Sequence, residues 1–199
     1  MSDEFVRPDH DAPLDVDRLV ARIPEKALVK GMFFQSALVQ AKAKDKAGRA
    51  PGRDKYVAFQ DYTVREHVTV LVDCAKIVYP ERPLRQGLRQ LGRDAYRIFL
   101  DSMLGKVMFS VAARRFDAAL SLTSKAYKVV GNLSSAEIEN VQPTSAVVHL
   151  RGVWNLPDCY HVGVFEEALD DYHRHGEILV RENRPDDVEL KLCWELPAP

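Results

Sequence analysis

The sequence is poor in the residues and motifs that build most reactive sites. It has three cysteines, Cys74, Cys159 and Cys193, an odd number without close spacing. That argues against a disulfide framework and against a cysteine-based zinc site. No apolar run approaches the roughly 20 residues that span a bilayer. The acidic start, Met1-Ser2-Asp3-Glu4-Phe5, has no apolar core of its own. No signal peptide is therefore expected, and the chain reads as cytoplasmic with reduced thiols. Neither sign of charge prevails, since 28 Lys and Arg face 29 Asp and Glu. A balanced total gives no general attraction to phosphate backbones, so nucleic acid is not an expected partner. GxGxxG and Walker-type phosphate loops are missing, as are nucleophile-elbow, kinase, triad and His-Glu-x-x-His motifs. These absences point away from an enzyme of any motif-bearing class, and no metal or cofactor is expected.

What is present fits one globular domain. Hydrophobic residues make up 46% of 199 and charged residues 29%, enough apolar material for a substantial core. Residues 1–13, with Asp3, Glu4, Pro8, Asp9, Asp11 and Pro13, read as a flexible tail before a single domain over 14–199. A short helix is expected from Leu14 to Ile23, ended by Pro24, and another from Gly31, fading into Lys42–Lys46. Residues 45–62 read as the longest internal loop. Thr63 with Glu66 three residues on forms a capping-box pattern. It opens a helix to Tyr79 with a stripe of Val64, Val68, Leu71, Val72, Ala75 and Val78. Pro83 starts the next helix, whose seam is Leu84, Leu88, Leu91, Ala95 and Phe99. Gly87 and Gly92 inside it each cost about 1 kcal/mol relative to alanine, which hints at a close neighbour. Gly105 reads as a break before Val107, Met108 and Val111. A helix over 116–130, closed by Gly131-Asn132, completes the helical part.

The pattern then changes. Residues 135–140 and 146–150 read as strands joined by a turn at Pro143-Thr144-Ser145. Asp158 is placed to cap a helix from Cys159 to Tyr172. Residues 178–181 and 188–194 read as a closing hairpin, and Val188, Leu190, Leu192 and Trp194 alternate with Glu189, Lys191, Cys193 and Glu195. Helices first and antiparallel strands last give an α+β fold, with N-terminal helices packed on a C-terminal antiparallel sheet and a helix inserted before the last hairpin.

Few residues suggest chemistry. His173-Arg174-His175 sits at a helix end, where cationic groups suit the dipole. His67 reads as a surface or boundary residue, and His161 as a core-edge residue whose position also invites a haem-ligand reading. Cys159 beside Asp158 stands at a helix start, but Asp158 opposes a thiolate there. Arg82, Arg85, Arg89, Arg93 and Arg97 recur at spacings of three and four, which lines five guanidinium groups along one helix stripe. The stripe reads as a solvated face or as a grip for an acidic protein partner.

From Val29 to Trp194 the chain resembles a family of unknown function with many paralogues in myxobacteria. The residues that carry the resemblance are Val29-Lys30-Gly31-Met32-Phe33-Phe34, Tyr62-Thr63-Val64-Arg65-Glu66, Tyr79-Pro80 and Pro83-Leu84-Arg85-Gln86-Gly87-Leu88. Leu91-Gly92-Arg93-Asp94-Ala95-Tyr96, Tyr160-His161-Val162-Gly163-Val164-Phe165-Glu166 and the strand with Trp194 add to it. More distantly, the order of elements resembles the fold of haem-NO-binding, vinyl-reductase-like and TRAPP-type domains. That resemblance implies a haem or apolar molecule held between helices and sheet, or an assembly subunit. The Tyr-x-Ser-x-Arg motif of the haem family and the cysteine ligands of metal-binding variants have no counterpart here.

The expected function is a non-catalytic binding or sensing domain for a small apolar ligand or a protein partner. The alternative is a homodimeric scaffold or adaptor without ligand. Tyr96, Phe99, His161, Gly163 and Phe165 are expected at the ligand site, and Arg85, Arg89 and Arg93 at the surface for an acidic partner. A homodimer is expected in either case.

Overall fold

The computed structural model describes residues 4–45, 48, 51–109 and 115–195. Lys46 and Val111 lie outside these, as do residues 1–3 of the expected tail. The chain order is α1 (Val16–Arg22), β1 (Leu28–Lys30), α2 (Met32–Lys44), β2 (Asp61–Thr63), α3 (Val64–Val78), α4 (Leu84–Asp101), α5 (Met103–Phe109) and α6 (Phe116–Val130). It continues with β3 (Ser135–Gln142), β4 (Ser145–Arg151), α7 (Tyr160–Asp171), β5 (Gly176–Arg184) and β6 (Asp187–Trp194). The four long strands form one antiparallel sheet in the order β3-β4-β6-β5. The α+β architecture, with a helix before the last hairpin, is the expected one.

Local chemistry explains most boundaries. The Thr63 hydroxyl accepts from the Glu66 amide at 3.2 Å and caps α3. The other half of the expected capping box is not made, because the Glu66 carboxylate turns to Arg53 and to the Tyr56 hydroxyl. Thr63 itself is in β2, a short strand pairing with β1 (Leu28 with Thr63, Lys30 with Asp61). Neither strand was legible, since three residues are too few for periodicity. Gly105 lies within α5 rather than at a break. Gly131 is extended and bridges Val29 instead of capping α6 in the left-handed region. Cys159, not Asp158, occupies the cap position of α7, and the Asp158 carboxylate pairs with Arg85.

Two apolar clusters build the interior. One lies among α2, α3 and α4 and includes Phe34, Val68, Leu71, Leu88 and Leu91. The other lies between the sheet, α6 and α7, with Val148, Leu150, Phe165, Leu190, Leu192 and Trp194. In β6 the even-numbered residues are buried as the alternation requires. Helices α4 and α7 join the two halves at very short range. A Cβ on Gly163 would stand 1.8 Å from the Arg89 carbonyl oxygen, and one on Gly92 would stand 1.9 Å from that of Tyr160. Only glycine allows two helix backbones to approach in this way.

The N-terminal segment is not a free tail over its described length. Val6 exchanges both backbone hydrogen bonds with Val180, at 2.9 and 2.8 Å, along the outer edge of β5. Phe5 lies under the Arg181 guanidinium, and the Gln86 amide donates to Asp11 at 2.8 Å. The segment covers a sheet edge that would otherwise present unpaired backbone groups.

Candidate functional site: a cavity between helices and sheet

The two clusters do not close on each other completely. Between them lies a cavity of about 190 Å³, walled by α2, α3, α4, α6, α7 and Leu192 of β6. Phe33, Phe99, Phe116, Phe165, Tyr127 and Tyr160 give it an aromatic wall, and Ala119, Ala126 and Ala168 leave the space. No Asp, Glu, Lys or Arg lines it among the described residues.

Its polar lining includes Gln35, Ser36, Thr123 and Asn155 and two histidines. His67 is 1% exposed and His161 5% exposed, and both line the cavity. The Tyr127 hydroxyl stands 2.5 Å from His161 Nδ1. Tyr127 is buried, with its ring 5.5 Å from that of His161. If the tyrosine donates, every hydrogen at this contact is used and the His161 proton sits on Nε2. That nitrogen has no partner. His67 Nε2 donates over 3.4 Å to the Phe33 carbonyl, and Nδ1 is left as an unpartnered acceptor. Burial drives both rings to the neutral form, lowering His67 to about 4 and His161 to about 3, the latter with help from His67. Burial likewise raises the Tyr127 and Tyr160 hydroxyls, and a hydrogen bond with Ser36 opposes this at Tyr160.

Four of the five expected ligand residues meet here: Tyr96, Phe99, His161 and Phe165. Phe99 stacks on Phe33 at 6.2 Å, Phe165 lies parallel to Tyr127 at 6.3 Å, and the Tyr96 hydroxyl reaches Asp171 at 3.3 Å. Gly163 does not line the cavity; it is spent on the backbone of α4. His67 is a correction in the other direction, since it is buried at the cavity rather than at the surface. Val64, His67, Leu71, Cys74 and Val78 recur at spacings of three and four, so the stripe itself carried the signal. Tyr127 had a similar signal on α6, four residues after Thr123 and three before Val130.

The arginine stripe faces α7. Arg89 makes a two-pronged pair with Glu166 at 2.6 and 2.7 Å, and Arg85 pairs with Asp158. Arg93 reaches Glu167 at 2.9 Å and also Asp170, while Arg97 pairs with Glu167. Arg89, Arg93 and Arg97 thus meet acidic residues of the chain's own α7, and Arg85 meets Asp158 just before it, so a solvated face is not what α4 presents there. Burial raises the thiols of Cys74, within α3, and of Cys159, at the start of α7, which disfavours a thiolate at either. Among the described residues no group of three His, Cys, Asp or Glu is placed to hold a metal ion, and no helix is long and apolar enough to cross a membrane.

A family model described as a protein of unknown function, DUF2378, matches residues 22–195. No curated protein matches the chain in sequence. Among solved structures, an Fe(II) unliganded H-NOX protein from K. algicida superposes with a TM-score of 0.59 at 13% identity, covering 84% of this chain and 97% of that one. An H-NOX protein from S. oneidensis in the Fe(II) ligation state, a substituted form, gives 0.62 at 14% identity, with 85% and 97% covered. An oxygen-binding H-NOX domain related to soluble guanylate cyclases gives 0.61 at 13%, with 84% and 93% covered. At these identities the likeness concerns the fold.

Proposed function

The chain belongs to the DUF2378 family, and from its cavity we propose that it is a non-catalytic binding or sensing domain for a small apolar ligand, working inside the cell. One observation carries the reading: an aromatic-walled void lies between helices and sheet, with buried polar atoms left unpartnered at its wall. Interiors pack closely, so a void of this size with unsatisfied nitrogens is a cost that a ligand removes. The H-NOX-like fold supports a sensing role, because its solved neighbours are described by what they ligate.

That likeness raises haem, and the residues here do not fit it. A void of about 190 Å³ is on the scale of the ~150 Å³ cavity that accepts benzene, far short of a four-pyrrole ring. Among the described residues no cation lines it to meet propionates. His161 is the nearest thing to an axial ligand, but its Nδ1 is taken by the Tyr127 hydroxyl, and with the tyrosine as donor the proton sits on Nε2, the nitrogen that would have to face iron.

The test is native mass spectrometry with an absorbance spectrum, followed by titration with toluene. Saturable uptake of toluene or a retained adduct is expected, without a Soret band. Ala119→Phe, which fills the void, should abolish uptake while the fold survives. A doubled bare mass with no uptake would instead support the scaffold homodimer.

A further inference from the structure

The cavity is apolar over most of its wall, yet its two histidines offer complementary unpaired atoms. With the Tyr127 hydroxyl as donor to Nδ1, His161 Nε2–H is a donor without an acceptor, and His67 Nδ1 is an acceptor without a donor. Both line one void, and the Tyr160 ring lies 5.3 Å from that of His161 and 6.5 Å from that of His67. A single group that both accepts and donates answers this pair, and a hydroxyl is the smallest such group. The remaining wall selects the body that carries it. Phe33, Phe99, Phe116 and Phe165 offer ring faces and edges, which favour an aromatic partner. The volume is ample for one six-membered ring with a small substituent.

We infer that the ligand is a neutral monocyclic phenol, its hydroxyl accepting from His161 Nε2 and donating to His67 Nδ1 while its ring fills the aromatic end of the cavity. This rests on the reading of the cavity as a ligand site and names the class of ligand. An anionic ring acid such as benzoate is disfavoured on two grounds. Among the described residues the wall carries no Lys or Arg to neutralise it, and the imidazoles stay neutral at pH 7 because burial lowers them to about 4 and about 3. An unpaired carboxylate there would be a buried charge without a partner.

The experiment titrates the full chain at pH 7 with p-cresol, toluene and benzoate by calorimetry, together with His67→Phe and His161→Phe. Cresol and toluene have nearly the same body and differ by the hydroxyl. Cresol should bind roughly tenfold tighter than toluene, which corresponds to about 1.4 kcal/mol, and benzoate should not bind measurably. Each histidine variant should reduce cresol to the level of toluene and leave toluene unchanged. As His161→Phe also breaks the Tyr127 contact, a second measurement is made on the unaltered chain. The ring-nitrogen resonances of His67 Nδ1 and His161 Nε2 should move with cresol and stay with toluene. Equal binding of cresol and toluene with unmoved nitrogens would overturn the phenol assignment and leave the apolar site standing. So would tighter binding of benzoate. Failure of all three probes would overturn the ligand site itself.

Discussion

A buried neutral imidazole is a costly way to fill a helix face, and this chain carries two. His67 and His161 are each lowered by desolvation, to about 4 and about 3. In the unfolded chain both return to about 6.5. Below that value the unfolded state binds more protons than the folded one, so stability is fully present above pH 6.5 and is lost as the pH falls toward 4 and then 3. Each ring contributes on the order of 3 kcal/mol to this loss across its full window. Denaturant melts at pH 7 and pH 5 should therefore differ by a few kcal/mol. His67→Gln, which titrates nowhere in this range, should flatten the difference by about half. An unchanged pH slope in that variant would mean the ring is hydrated in solution. The same rings set the ligand chemistry, since only their neutral forms pair one donor with one acceptor.

Helix α4 shows that identical residues in one element answer to different neighbours. Gly87 and Gly92 looked alike as sequence. A Cβ at Gly87 would meet the Ala75 Cβ at 3.4 Å, an ordinary contact, whereas one at Gly92 would enter the Tyr160 carbonyl. Gly87→Ala should thus be neutral or stabilise by up to about 1 kcal/mol through helix propensity. Gly92→Ala and Gly163→Leu should each cost about 1–3 kcal/mol or more by forcing the helices apart. Thermal or denaturant unfolding of the three variants decides this, and a stable Gly163→Leu would remove the close α4–α7 packing. The arginines on the same helix follow the same rule. Glu167 is 5% exposed and lies against Arg93 and Arg97. Charge reversal at Arg89 and Arg93 together should lower stability by about 2 kcal/mol or more, as a carboxylate is left buried beside like charge. The thermal midpoint of the double variant would stay in place only if the pairs were solvated in solution, where they contribute little.

At the scale of the whole molecule, the sheet has one edge that the chain covers itself. Val6 occupies the free side of β5, with Phe5 and Arg7 anchored to Arg181 and Glu177. Deleting residues 1–11 should cost about 2 kcal/mol for the two lost backbone bonds and the lost ring contact. It should also expose an edge that promotes strand pairing between copies. Light scattering across a concentration series would reveal the association, and a monomeric, equally stable truncation would count against an edge-covering role.

The helices other than α5 were legible because their apolar residues recur every three or four positions, and α6 over 116–130 was placed at its observed ends. The sheet was legible through the alternation in Val188, Leu190, Leu192 and Trp194, and the α+β order follows from the two patterns in sequence. These are local properties, fixed by side-chain direction along one element. What the sequence could not decide is which faces meet. The arginine stripe reads as solvated until α7 brings Glu166, Glu167 and Asp170 against it, some 70 residues along the chain. Gly163 reads equally as a cavity wall or a helix contact until the Arg89 carbonyl takes the place. His67, on α3, and His161, on α7, become one polar pair only because the α2–α4 cluster and the sheet cluster stop short of each other. A void is made of atoms that fail to touch, and no single element encodes that failure. Periodicity determined the elements and their buried faces; the packing of two incompletely matched cores decided the site.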